Sequence, residues 1–243
     1  MVRSTIAVLL ALLATTSAVD LPEFIKVCNR NDPELDACIT GSVDHLRPYL
    51  VEGVPEYNLP SLEPLVLEHL VVSEGQGIKL TATEIKAYGA SNFIVKKVES
   101  DMANLHYNVD IELPHLYIEG HYEIDGRLLL LQVTGSGPLH GNFTECLGQV
   151  NFDAELYDEG GEDHFRVKTF DMKITVGQGN LQLDNLFGGE KVLGDVVNNA
   201  INANFDAFVQ ELLPLIEKAL SDFFLKLGNN IVTPFAFDQL FPV

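Results

Sequence analysis

The sequence has no tryptophan, three cysteines, and fifteen basic residues set against thirty-five acidic ones, for a net charge of −20. The shortage of basic residues closes off two classes of partner. So large an excess of acidic residues repels phosphate rather than gathering it, which excludes a nucleic-acid partner. Docking on anionic lipid fails for the same reason. Enzyme signatures are missing too: there is no G-x-S-x-G, H-E-x-x-H, P-loop or C-x-x-C. The chain is read as no enzyme and as needing no cofactor, with its carboxylates scattered singly as solvated surface. His115 and His121 lie six apart with no third ligand nearby, so no metal is expected. His106 alternates with polar neighbours and is expected to be exposed.

A long apolar run is also missing. The stretch Ile6 to Ala14 is too short to span a bilayer. Behind Arg3 and ahead of Thr16-Ser17-Ala18, it reads as the core of a secretory signal peptide covering residues 1–18. Residues 19–243 then form an extracellular chain with no integral membrane segment, of a length that fits one large domain or two small ones. An apolar fraction of 47% supplies a substantial core. In an oxidising compartment Cys28 and Cys38, which enclose the short loop NRNDPELDA, are expected to pair. That leaves Cys146, either a buried free thiol or a partner for intermolecular pairing. Asn142-Phe143-Thr144 is an N-glycosylation acceptor.

What the chain does have is patterning. Leu35, Ile39, Val43, Leu46 and Leu50 recur at helical spacing. Pro55 and Pro60 suggest an extended exit, and Leu65, Leu67, Leu70 and Val72 read as a strand. From residue 103 the alternation is strict: Leu105, Tyr107, Val109, Ile111 and Leu113 are apolar, with polar residues between them. Leu116, Ile118, Tyr122 and Ile124 continue it, and Asp125-Gly126-Arg127 marks a hairpin turn into a run containing Leu129 and Leu131. VNFDAEL, with Phe152, and HFRVKTFDMKITV keep the habit. The GxG pieces at 75–77, 135–137 and 177–179 read as turns. The whole is a large antiparallel meander, dry on one face.

After Gly188-Gly189-Glu190 the period changes to 3.6. Val192, Val196, Ala200 and Ala203 begin one apolar face, and Leu193, Val197, Ile201, Phe205 and Phe208 widen it. Leu212, Phe223 and Phe224 carry it to Leu227. Pro214 is expected to kink or divide this helix of about 35 residues, roughly 50 Å long. Its asparagines and aspartates rule out a bilayer span. The apolar arc moves round the axis, which suits a curved sheet wrapped about the helix. A plain layered α+β domain is the competing arrangement.

Six ordered segments carry a resemblance over nearly the whole of residues 19–243: CNRNDPELDACI, LRPYLVEGVPEYNLPSLEPLVL, YGASNFIVKKVESD, ELPHLYIEGHYEIDGRLLLLQVTGSG, DNLFGGEKVLGDVVNNAINANF and FDQLFPV. Together they resemble the insect takeout and juvenile hormone-binding protein family, some of whose members are linked to circadian timing and feeding. The resemblance implies an α+β super-roll, in which a highly curved antiparallel sheet wraps a long C-terminal helix and encloses a hydrophobic tunnel. It also implies a haemolymph or other extracellular carrier of a small lipophilic ligand, such as a terpenoid or a fatty acid. The hormone-binding branch usually has a second disulfide; Cys146 has no partner, so the chain looks more like the takeout branch.

Candidate tunnel-lining residues are Tyr107, Ile111, Leu113, Leu116, Ile118, Tyr122, Leu129, Leu131 and Phe152 from the strands. Val197, Ile201, Phe205, Phe208, Leu212, Phe223 and Phe224 join them from the helix. Tyr107 and Tyr122 are candidates to orient a polar head, because a phenol packs and still hydrogen-bonds. Burying about 400 Å² of ligand is worth roughly 10 kcal/mol gross. The alternative is a secreted interaction or signalling protein with a filled core, whose ligand is a protein partner.

Overall fold

In the computed structural model, residues 20–75, 78–128 and 131–243 are described; the expected signal peptide and Leu129 lie outside them. The helical spacing near the start forms α1 (Leu35–Glu52), with Leu35 and Leu50 buried. Pro55 does not extend the exit but opens a 3₁₀ turn, Pro55–Tyr57. Its fixed φ suits the first position of such a turn.

Seven strands follow: β1 (Leu65–Gly75), β2 (Ile78–Tyr88), β3 (Ile94–Asp101), β4 (His106–Leu128), β5 (Leu131–Glu159), β6 (Glu162–Thr175) and β7 (Gln178–Leu183). All are antiparallel in one sheet. Its spine is the hairpin β4–β5, paired without a register shift from His106 opposite Asp153 to Leu128 opposite Leu131. Two strands share each flank of this spine. On β4, β3 takes Asp101–Ile94 against His106–Glu112 and β2 takes the stretch from Tyr117 to Gly126. On β5, β7 takes Leu139–Thr144 and β6 takes Leu147–Glu159.

Asp125-Gly126-Arg127 is strand rather than turn, with Gly126 opposite Val133 and Arg127 opposite Gln132. The ladder that sets Ile124 opposite Gly135 runs on to Leu128 opposite Leu131, so pairing overrides the local turn signal. Midway along the spine the dry face changes parity. In β5 the buried set moves from Leu139 and Gly141 to Cys146, Gly148 and Val150. The ladder steps over Pro114, which has no N–H to give, and over Glu145, whose φ is +55°. This break re-aims both strands together.

The helical region is divided, but not at Pro214. It breaks at Asn204, between α2 (Lys191–Ala203) and α3 (Phe205–Val232). Asn204 leaves helical geometry (φ −124°, ψ 37°), and its side-chain amide donates to the Ala200 carbonyl. Pro214 stays inside α3, where the carbonyl it deprives of a partner belongs to an exposed residue, Gln210. α3 packs along β6 and reaches β1, strands at opposite ends of the sheet order, so the sheet is curled around it. α4 (Phe237–Leu240) then returns to β6.

The sheet edge is covered by side chains of these helices. Asn198 Oδ1 accepts the Leu183 N–H and its Nδ2 donates to the Leu183 carbonyl, both at 2.9 Å. Asn202 repeats this with Leu181 at 2.8 Å. Four residues of helix rise about 6 Å and two residues of strand about 6.7 Å, so the two repeats match. On β6, Asn229 grips both main-chain groups of Val167, Ser221 Oγ accepts the Met172 N–H, and Glu217 accepts the Ile174 N–H. An open edge is a template for unwanted pairing, and here helix side chains occupy it.

Candidate functional site

The apolar interior lies between sheet and helices, in three groups. In the first, Tyr122, Leu139 and Leu186 meet Val197, Ile201 and Phe208. In the second, at the end closed by the C-terminal segment, Tyr107 and Phe165 pack with Phe235, Phe237 and Leu240. In the third, Leu59, Leu62 and Leu65 lie against Phe223, Phe224 and Leu227. Ile118 packs on the first and third groups and joins them.

The expected lining residues are distributed over these groups rather than brought into one ring. Ile118, Tyr122, Val197, Ile201, Phe208 and Leu212 belong to the first group, and Leu116 sits with Phe223 and Phe224 in the third. Tyr107 stacks on Phe152, 4.6 Å between centroids, in the second. Phe205 leans on Phe143 at 6.1 Å, and Ile111 and Leu113 are half-buried on β4, opposite Gly148 and Cys146. Leu131 ends the hairpin opposite Leu128.

Val192, Leu193 and Val196 do not face inward: they are 68%, 50% and 57% exposed. Asn198 turns to β7, and Val196 stands about 200° away from it round the helix. Sequence reasoning passed over Leu186, Phe235 and Phe237, all buried here. The signal for the last two was the continuous apolar run Phe235-Ala236-Phe237 near the end of the chain.

Leu186 is set into place by a close crossing of main chain. Gly135 and Gly137 are not in a turn but inside β5, where the segment Asp184–Leu186 passes over them. A Cβ on Gly137 would stand 2.6 Å from the Asp184 carbonyl oxygen, and one on Gly135 would stand 2.9 Å from the Leu186 Cα. Only glycine permits this approach. The pair at 177–179 is divided, with Gly179 in β7 opposite Phe143; that at 75–77 lies partly outside the described residues.

The polar groups at the interior already have partners. The Tyr122 hydroxyl donates to the Asp184 carbonyl at 2.6 Å, and burial pushes its pKa up to about 12. The Tyr107 hydroxyl donates to the Met102 sulfur at 3.3 Å, and burial raises its pKa further. By contrast, several apolar side chains that face inward remain half-buried, among them Leu116, Ile118, Phe223, Phe224 and Leu227. Such surface, left uncovered by protein, is what an apolar guest would cover.

Other features lie outside this interior. A cleft of about 370 Å³ is lined by Arg30, Asp32, Asp36, Ser100, Asp101 and Met102, beside the bonded pair Cys28–Cys38. Another of about 310 Å³ is lined by Thr81, Thr83, His121, Glu123 and Ser136 among others. Cys146 is a buried free thiol whose pKa is raised by burial. Asn142 is exposed on β5, its Oδ1 2.5 Å from His115 Nε2. His106 is half-buried and holds Asp153 at 2.7 Å, which keeps that carboxyl below its usual range. Among the described residues no three His, Cys, Asp or Glu side chains gather as metal ligands, and no helix is long and apolar enough to cross a membrane.

Comparison with known proteins gives a consistent result. The sequence model of the haemolymph juvenile hormone binding protein (JHBP) family matches residues 6–242. The circadian clock-controlled protein daywake of Drosophila melanogaster is 23% identical over 231 residues, covering 90% of this chain and 88% of that one. A putative beta-carotene-binding protein of Schistocerca gregaria is 20% identical over 224 residues, with the same coverage. Among solved structures, the crystal structure of Epiphyas postvittana Takeout 1 superposes with a TM-score of 0.77 at 25% identity, covering 90% of this chain and all of that one.

Proposed function

The chain belongs to the haemolymph juvenile hormone binding protein family, and from that premise we propose that it is a secreted, non-enzymatic carrier of a small lipophilic ligand. The observation that carries the reading is the half-buried apolar surface between α3 and the curled sheet, at Ile118, Phe223, Phe224 and their neighbours. A terpenoid or another elongated lipophile would complete that surface, and the carotenoid named for the Schistocerca relative is of this class. Apolar burial drives such binding at roughly 25 cal/mol per Å², and ordering and association costs leave affinities about micromolar to nanomolar. The carrier's work is to keep the ligand from water and to release it where the interior opens. Secretion rests on the reading of residues 1–18, and a glycan at Asn142 rests on its acceptor sequence and exposure.

The test is native mass spectrometry of the gently purified secreted protein, followed by organic extraction. A defined lipophile near one-to-one, rebinding after removal, is the expected result. An empty, folded protein that refuses every added lipophile refutes the reading and returns weight to a filled-core protein with a protein partner.

A further inference from the structure

Resting on the carrier reading, we infer that the interior accepts uncharged lipophiles and rejects their ionised counterparts, carboxylates first. The inference comes from an inventory of donors and cations. Every lysine among the described residues is exposed, as are Arg127 and Arg166. The two half-buried arginines are engaged elsewhere. Arg30 holds Asp238 at 2.8 Å and lies over the Phe237 ring. Arg47 donates to the Ser91 and Phe93 carbonyls at 2.7 and 2.6 Å and pairs with Asp44. The one buried charged side chain among the described residues is an anion, Glu217, held by Lys173 and the Ile174 N–H.

The neutral donors are committed as well. The Asn198 amide and the Ser221 hydroxyl serve strand main chain, and the Ser91 hydroxyl donates to Glu63. Tyr122 and Tyr107 give their only O–H to Asp184 and Met102. What both phenols still offer is an oxygen acceptor, and a carboxylate cannot use an acceptor. A hydrocarbon, ester or ether asks for no donor, and an alcohol can donate to one of these oxygens. A carboxylate entering the same space exchanges its hydration for no partner, a penalty its ester does not bear. The net charge of −20 adds repulsion of the same sign at the surface.

The experiment uses the delipidated full chain and displacement of Nile red, an uncharged probe, by a long-chain fatty acid and by its methyl ester. This pair differs only at the head. At about pH 7.5 the ester displaces the probe and the acid is expected to be at least ~100-fold weaker, because its head is ionised. As pH falls toward the carboxyl pKa, the acid gains about tenfold per unit while the ester stays constant. The ratio persists in about 1 M salt, since desolvation, unlike surface repulsion, is not screened. An acid that matches its ester near neutral pH overturns the inference. A preference that vanishes in high salt also overturns it, by moving the discrimination to surface charge. If Nile red, ester and acid all fail to bind, the carrier reading itself falls, which is a distinct result.

Discussion

Replacing Asn198 by alanine removes one side chain and strands two main-chain groups. Asn198 is 6% exposed and satisfies both the N–H and the carbonyl of Leu183, itself buried. No neighbouring strand takes over, because this is the outer edge of β7. A buried main-chain group left without a partner costs about 1–3 kcal/mol, so Asn198→Ala should lose about 2–4 kcal/mol. Asn202 makes the same pair of bonds to Leu181 with the same geometry, but it is exposed. Water replaces what Asn202→Ala removes, and the loss should stay near 0.5–1 kcal/mol. Alanine improves helix propensity equally at both sites, so the difference between the variants is unaffected. In urea titrations with a slope near 2–3 kcal/mol/M, the midpoint should fall by about 1 M for Asn198→Ala and by under about 0.5 M for Asn202→Ala. Equal shifts at unchanged slope would refute the argument that burial, not bond count, sets the value of these caps.

Three further outcomes follow from the geometry. Gly137→Ala pushes a Cβ to 2.6 Å from main-chain oxygen and should cost about 2–3 kcal/mol, whereas Gly160→Ala, in open space at φ +69°, should cost only about 1 kcal/mol; thermal melts compare them. Tyr122 has a raised pKa in the folded chain, so its contribution is complete below pH 10 and is lost as pH rises toward about 12. Tyr122→Phe should flatten that part of the alkaline stability curve, read against tyrosinate absorbance. Cys146 is buried with a raised thiol pKa, so a thiol reagent at neutral pH should label it only in denaturant; fast native labelling would contradict its placement.

Period-two alternation made β4, β5 and β6 readable in advance, since each has one face against the core and one in water. The change to period 3.6 at Lys191 placed the start of α2. What could not be read was decided at a distance. Asp125-Gly126 is a good turn in isolation, yet the pairing of Ile124 and Val133 with their neighbours carries the strands beyond it. Pro214 is the residue expected to kink or divide the helix, yet α3 runs through it beside exposed Gln210, and the division falls at Asn204. The asparagines of α2 were legible only as polar; that Asn198 and Asn202 match every second residue of an edge strand depends on where β7 lies. Tyr107 and Tyr122 were rightly placed on the dry face, but their hydroxyl partners, Met102 and Asp184, belong to other segments.

The caps on β6 and β7 come from segments later in sequence than the strands they cover. Leu65 of β1 meets a surface formed by residues more than 150 positions further on, such as Phe223 and Leu227. A chain emerging from the ribosome therefore finishes its strands while the edges of β6 and β7 and much of the dry face still lack a cover. Contacts of such long separation form slowly, and unpaired edges are adhesive while they wait. The helices thus act as the closing step of biosynthesis, and trimming α3 would yield an aggregate instead of a smaller carrier.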